Sequence, residues 1–110
     1  MSTFTRVYSA CAWRVLDDGS QTLWLNRLQM RDAQVSAVMD RTYFHSIYFH
    51  EPNGVLFEIA TDNPGFAADE PLDRLGTSLC LPSWFEPHRA QIEAKLPRLL
   101  LPTGQVVGGR

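Results

Sequence analysis

The apolar positions of this chain change period repeatedly before residue 62. Residues 7–15 (VYSACAWRV) are small and β-branched enough for a strand, with weak alternation. Asp17-Asp18-Gly19-Ser20 is a turn that also offers helix N-caps. Leu23, Trp24 and Leu28 then recur at helical spacing, which predicts a helix to about Arg31. Residues 35–40 read as a strand, and residues 43–51 and 55–61 as the two long strands of a hairpin. After Asp62, Asn63-Pro64-Gly65 breaks the sheet. A short helix is expected over 68–75. Another, with Pro87 in its first turn and Ser83 or Glu86 as cap, is expected to run to Lys95 and stop before Pro97. The tail TGQVVGGR reads as frayed. The pattern therefore predicts an α+β fold: a βαβββ module over residues 1–62 and a C-terminal arm with short helices over residues 63–110.

The hairpin contains the first chemical anomaly. Pro52-Asn53-Gly54 suits a three-residue loop, with proline preset for the turn and glycine free to adopt the left-handed conformation. In that register His50 faces Leu56 and Tyr48 faces Glu58. One face then carries Ile47, Phe49, Val55, Phe57 and Ile59, and is expected to pack on the helix around Leu23 to Leu28. The other carries Phe44, Ser46, Tyr48, His50, Leu56 and Glu58. A carboxylate in mid-strand, beside a phenol, a hydroxyl and an imidazole, is either a solvated outer-face residue or part of a lined cavity. His45 near the end of the apolar face reads as structural, and His88 as surface.

Composition narrows the classes. The chain has 110 residues, 45% of them hydrophobic and 20% charged, with a net charge of −2. That is enough for one core. No basic run points to nucleic acid or an anionic membrane, and no apolar run reaches the length of a membrane span. The N-terminus lacks a signal pattern, so a cytoplasmic location is expected. Cys11 and Cys80 show no metal-site spacing and are expected to be buried free thiols.

Residues 47–58, IYFHEPNGVLFE, resemble the second half of the extradiol dioxygenase signature, with Tyr48, Pro52, Gly54 and Glu58 each in place. The βαβββ order is similar to one module of the vicinal oxygen chelate superfamily, which includes glyoxalases, bleomycin-resistance proteins and extradiol dioxygenases. The longer text DRTYFHSIYFHEPNGVLFEIATDNPGF, followed by DEPLDRLG and LPSWFEPHRAQIEAKLP, looks more narrowly like the C-terminal end of ring-cleaving dioxygenases of the hydroquinone-resistance type. The resemblance spans about residues 7–97 and implies half of a cupped sheet.

By that resemblance, Glu58 is the carboxylate ligand of a divalent metal, usually Fe(II), and Tyr48 a hydrogen-bonding or acid residue toward a catechol or hydroquinone. A two-histidine, one-carboxylate face leaves iron with open positions for a diol and dioxygen. Family members carry histidines on the first strand where this chain has Ser9 and Ala10, and the signature's own histidine falls at Asp40. The metal set is therefore expected to be incomplete. His50, diagonal to Glu58 at roughly 7–8 Å between backbone positions, is the candidate substitute ligand. The alternative is a metal-free, non-catalytic module whose aromatic cup, formed by Phe44, Tyr48 and Trp13, binds a small planar compound. A single module leaves an edge and a concave face uncovered, so a homodimer is expected. The arm, with Trp84, Phe85 and Leu99–Leu101, either lies across a second subunit or folds back on its own sheet.

Overall fold

The computed structural model describes residues 10–108. The chain divides after Gly65 into two compact units.

The first unit begins with strand β1 (Cys11–Val15) and helix α1 (Asp18–Met30). Asp17 caps α1: its backbone is extended and its Oδ1 accepts the Ser20 N–H at 2.7 Å. The helix therefore starts earlier than its apolar spacing indicates. Strands β2 (Met39–Asp40), β3 (His45–His50) and β4 (Leu56–Thr61) follow. They form one mixed sheet of order β1-β4-β3-β2, with β1 parallel to β4 and the other pairs antiparallel. The unit is thus α+β with element order βαβββ.

The hairpin forms in the expected register. Glu51 N–H bonds Val55 O at 2.9 Å, Gly54 N–H bonds Glu51 O at 2.8 Å, and Gly54 sits at φ +89. Its central pair, Ile47 and Ile59, is buried between sheet and helix. The expected strand over 35–40 shrinks to β2 plus a lone bridge from Val35 to Phe49. Ser36 is the cause: its Oγ accepts the Tyr48 N–H at 2.9 Å, replacing a backbone carbonyl and ending the ladder.

The helix presents a polar anchor to the sheet. Gln21, 1% exposed, donates from Nε2 to both His45 O and Ile59 O at 2.9 Å. Leu23 points outward and is 63% exposed, whereas Trp24 and Leu28 turn toward Phe49, Phe57 and Ile59 around an apolar cavity of about 320 Å³.

The second unit is built mostly of short turns. The helix expected over 68–75 is two 3₁₀ turns, Phe66–Ala68 and Leu72–Arg74. Pro71, extended at ψ 143, separates them. Likewise the helix expected over 83–95 divides into a 3₁₀ turn, Ser83–His88, and helix α2 (Arg89–Lys95). Pro87 has no N–H for an α-helical ladder, so the chain winds more tightly there. The tail forms a hairpin of β5 (Leu99–Leu100) and β6 (Val106–Val107), with Gly104 at φ +86 in its turn. Cys80 is half-buried as a free thiol, but Cys11, expected to be buried, is exposed on β1.

Among the described residues, no helix is long and apolar enough to cross a membrane.

Candidate functional site

Alternation along β3 and β4 sends Phe49, Phe57 and Ile59 toward α1, and Ser46, Tyr48, Glu58 and Ala60 to the opposite face. On β1, Ala12 stands beside Glu58 and Arg14 beside Ala60, so both share that face. Trp13 does not. It pairs with Ile59, meets Phe57 in a tilted contact at 6.0 Å between centroids and lines the helix-side cavity. The expected cup of Phe44, Tyr48 and Trp13 is corrected accordingly: phase along β1 puts the indole on the other side of the sheet.

Glu58 and Tyr48 are cross-strand partners, and the phenol hydroxyl donates to Glu58 Oε2 at 3.0 Å. Ser46 Oγ, on a residue with no exposure, donates to the same oxygen at 2.5 Å. Two donors on one oxygen fix the half-buried carboxylate and leave Oε1 without a protein donor among the described residues.

A fourth residue, which the sequence reading did not single out, completes the cluster. Arg41 Nε donates to Tyr48 OH at 3.0 Å, and its guanidinium carbon lies 5.1 Å from the phenol ring centroid. The arginine fills an acceptor position of the phenol oxygen, so the single phenol proton is directed to Glu58. The order is Arg41 to Tyr48 to Glu58.

The turn behind β2 aims Arg41. Its N–H bonds Phe44 O at 2.9 Å, its carbonyl accepts Tyr43 N–H at 2.8 Å, and Asp40 Oδ1 accepts Thr42 N–H at 2.7 Å. Thr42 is held at φ +70, unusual for a β-branched residue, and its hydroxyl is buried without a partner among the described residues. Backbone strain thus lies one residue from the arginine that touches the phenol. The sequence signal was an Asp-Arg-Thr turn next to a strand carrying a tyrosine. Propensity gave no reason for Thr42 to turn left.

Other charged contacts brace the sheet. Arg14 grips Asp62 through Nε at 2.7 Å and Nη2 at 2.5 Å, which holds the Asp62 carboxyl below the usual carboxylate range. His45 Nδ1 meets Asp18 Oδ1 at 2.7 Å, and Asn63 donates to Asp18 Oδ2 at 3.1 Å. These bonds, that from His45 foremost, lower the Asp18 carboxyl. His45 therefore joins β3 to the start of α1.

A metal needs more donors than this cluster gives. No group of three or more His, Cys, Asp or Glu side chains able to hold a metal occurs among the described residues. The β1 position beside Glu58 is Ala12, and Ala10 lies on the same face by alternation. Ser9 lies outside the described residues. His50 is exposed at the end of β3, two residues from Tyr48 on its face. Asp40 pairs with His45, whose face is the helix side, and its carboxylate holds the Thr42 turn. The described residues of this chain do not by themselves fit a divalent metal.

No family model matches the chain. Three relatives from Bacillus subtilis (strain 168) carry the provisional name of ring-cleaving dioxygenase. The chain is 46% identical to MhqA over 85 residues, 52% to MhqE over 79 and 49% to MhqO over 85. These matches take in 77%, 72% and 77% of this chain but 27%, 26% and 27% of the relatives. The chain thus spans about a quarter of their length. A crystal structure of a protein from Bacillus subtilis subsp. subtilis str. 168, provisionally described as a dioxygenase, superimposes with a TM-score of 0.75 and 49% sequence identity. That match covers 78% of this chain and 28% of the other. The chain therefore has dioxygenase-like relatives.

Proposed function

We propose that this chain is a dioxygenase-type module of vicinal oxygen chelate lineage, half of a cupped sheet. Its sheet face opposite α1 binds a small aromatic diol, a catechol or hydroquinone, at Glu58 and Tyr48. The observation that carries this reading is the Tyr48–Glu58 hydrogen bond across β3 and β4, on a face where β1 contributes only Ala12 and Arg14. The relatives, named for ring cleavage, support the ligand class. Glu58 accepts a ligand hydroxyl through Oε1, Ser46 and Tyr48 hold the carboxylate in place, and Tyr48 stands ready to exchange a proton with the bound diol.

In a complete site of this type a divalent metal, Fe(II) by resemblance, supplies the positions where diol and dioxygen meet. Here Glu58 is one donor and His50 a distant second candidate, so ring opening is not assigned to this chain acting alone. A second module covers the concave face and the exposed edge of β1. A homodimer provides one.

Calorimetric titration with catechol and with hydroquinone tests the reading. Wild type binds, and Glu58→Gln binds at least about tenfold more weakly, the loss of a charge-assisted acceptor. Elemental analysis of the purified protein is expected to give iron, manganese and zinc far below one per chain, unchanged by Glu58→Ala. One metal per chain that disappears in Glu58→Ala would move the assignment from binding to catalysis.

A further inference from the structure

The sheet face turned to α1 holds a cavity that diol binding leaves unused. Its volume is about 320 Å³. Strand alternation puts Trp13 of β1, Phe57 of β4 and Phe49 of β3 on this face, and Trp24 of α1 joins them in the wall. Val15, Leu28 and Ile59 add aliphatic groups. Arg14 is the one charged residue of the lining, and Asp62 holds its guanidinium through Nε and Nη2. The rings are set before anything binds. Phe57 meets Trp13 tilted by 54° at 6.0 Å between centroids, and Phe49 edge-on at 5.7 Å. The Arg27 guanidinium carbon lies 5.2 Å from the Trp24 ring centroid and steadies that indole. Yet Trp13 and Trp24 stay 55% and 44% exposed. Indoles are mostly covered in folded chains, so two of them open to solvent around one apolar cavity leave a binding surface unspent.

Volume and charge narrow the occupant. An apolar cavity of about 150 Å³ takes one benzene ring, and roughly twice that suits two fused rings. An ion placed here would give up its hydration with no free countercharge, since Arg14 is already paired. The hydroxyls of a diol would meet hydrocarbon on most sides. We propose that the helix-side cavity binds a neutral, unhydroxylated two-ring aromatic against Trp13, Trp24 and Phe57. This site shares no residue with Ser46, Tyr48 and Glu58, which lie on the other face. The two faces of one sheet therefore divide aromatic compounds by their oxygen: diols on one, bare rings on the other.

A methyl NMR titration of the ¹³C-labelled full chain with naphthalene, up to its solubility limit, tests this. Val15, Leu28 and Ile59 are expected to shift and Ala12 and Ala60 to stay, with a dissociation constant on the order of 0.1 mM. Leu28→Trp fills the cavity with an indole and abolishes the shifts of Val15 and Ile59. Trp24→Ala, a truncation of a half-exposed side chain that leaves the sheet intact, weakens binding by about tenfold. Naphthalene that leaves Leu28 and Ile59 unmoved, or that moves Ala12 and Ala60 instead, overturns the site. So does a Trp24→Ala chain that binds as tightly as wild type. If Leu28 and Ile59 already shift when the chain alone is diluted, a second copy fills the cavity and the aromatic ligand is ruled out. The diol site stands in each of these cases, because its own test reads other residues.

Discussion

Tyr48 and Glu58 face each other across the β3–β4 ladder, and the phenol hydroxyl donates to Glu58 Oε2 at 3.0 Å. Ser46 reaches the same oxygen from a fully buried position. The two donors differ in what their loss exposes. Tyr48→Phe removes the bond that the phenol donates to Glu58 and the one it accepts from Arg41, but Arg41 is exposed and water replaces its partner, so the loss is about 0.5–1.5 kcal/mol. Ser46→Ala removes a donor from an enclosed site, at about 1–3 kcal/mol. Urea denaturation of the two variants is expected to rank Ser46→Ala as the more destabilised. The opposite order would mean that Ser46 is not the carboxylate's main support.

Gln21 supports a second stability prediction. Its amide is enclosed and donates to one carbonyl on β3 and one on β4, so it ties the helix to both hairpin strands. Gln21→Leu keeps the size but leaves both carbonyls without that donor. The expected loss is about 2 kcal/mol, read by denaturant unfolding, because buried acceptors stripped of partners lose more than the bond itself was worth. A variant as stable as wild type would show that the carbonyls are satisfied elsewhere.

Thr42 gives a prediction of opposite sign. At φ +70 it carries a steric cost that asparagine largely avoids, and its hydroxyl is buried without a partner among the described residues. Thr42→Asn is expected to raise stability by about 1 kcal/mol in thermal or urea unfolding.

Much of this site was legible because turn chemistry fixes register. Pro52-Asn53-Gly54 set the pairing of Tyr48 with Glu58, and the structure has that pairing. The same logic was available for Pro102-Thr103-Gly104, which closes the β5–β6 hairpin through Gly104 N–H to Leu101 O at 2.9 Å. It went unread because the flanking strands have only two residues each. Trp13 was misplaced for another reason. β1 has no turn to fix its phase, and its residues, Cys11 to Arg14, are all exposed, so periodicity carried little signal. Arg41 lies in a loop whose conformation depends on an Asp40 side chain and a left-handed threonine, and neither follows from local propensity. The break in the strand at Ser36 is likewise a tertiary effect, since its hydroxyl competes for the Tyr48 amide.

Acid should loosen the fold. Asp17, Asp18, Asp62, Glu70 and Glu86 are all held below the usual carboxylate range. The leading causes are the Ser20 N–H, His45, Arg14, the Gly76 N–H and Arg89 respectively. Each takes up its proton at higher pH in the unfolded chain than in the folded one. Their stabilisation is therefore present above about pH 4, the unfolded carboxylate value, and is lost as pH falls through the lower folded values. The midpoint of thermal unfolding is expected to fall between pH 5 and pH 3, within roughly that carboxylate range. Asp18→Asn and Asp62→Asn should each flatten the fall. Because these groups are exposed, added salt should shrink the effect. A midpoint that holds steady across this range would contradict the assignment.

The most direct measurement is a methyl NMR titration of the ¹³C-labelled chain with catechol. Binding beside Glu58 and Tyr48 moves the methyl resonances of Ala12 and Ala60, which share that face, and leaves Ile47, Ile59 and Leu28 near their free positions. If instead Ile59 and Leu28 shift while Ala12 and Ala60 stay fixed, the ligand enters the helix-side cavity, and the carboxylate–phenol pair is not the binding site.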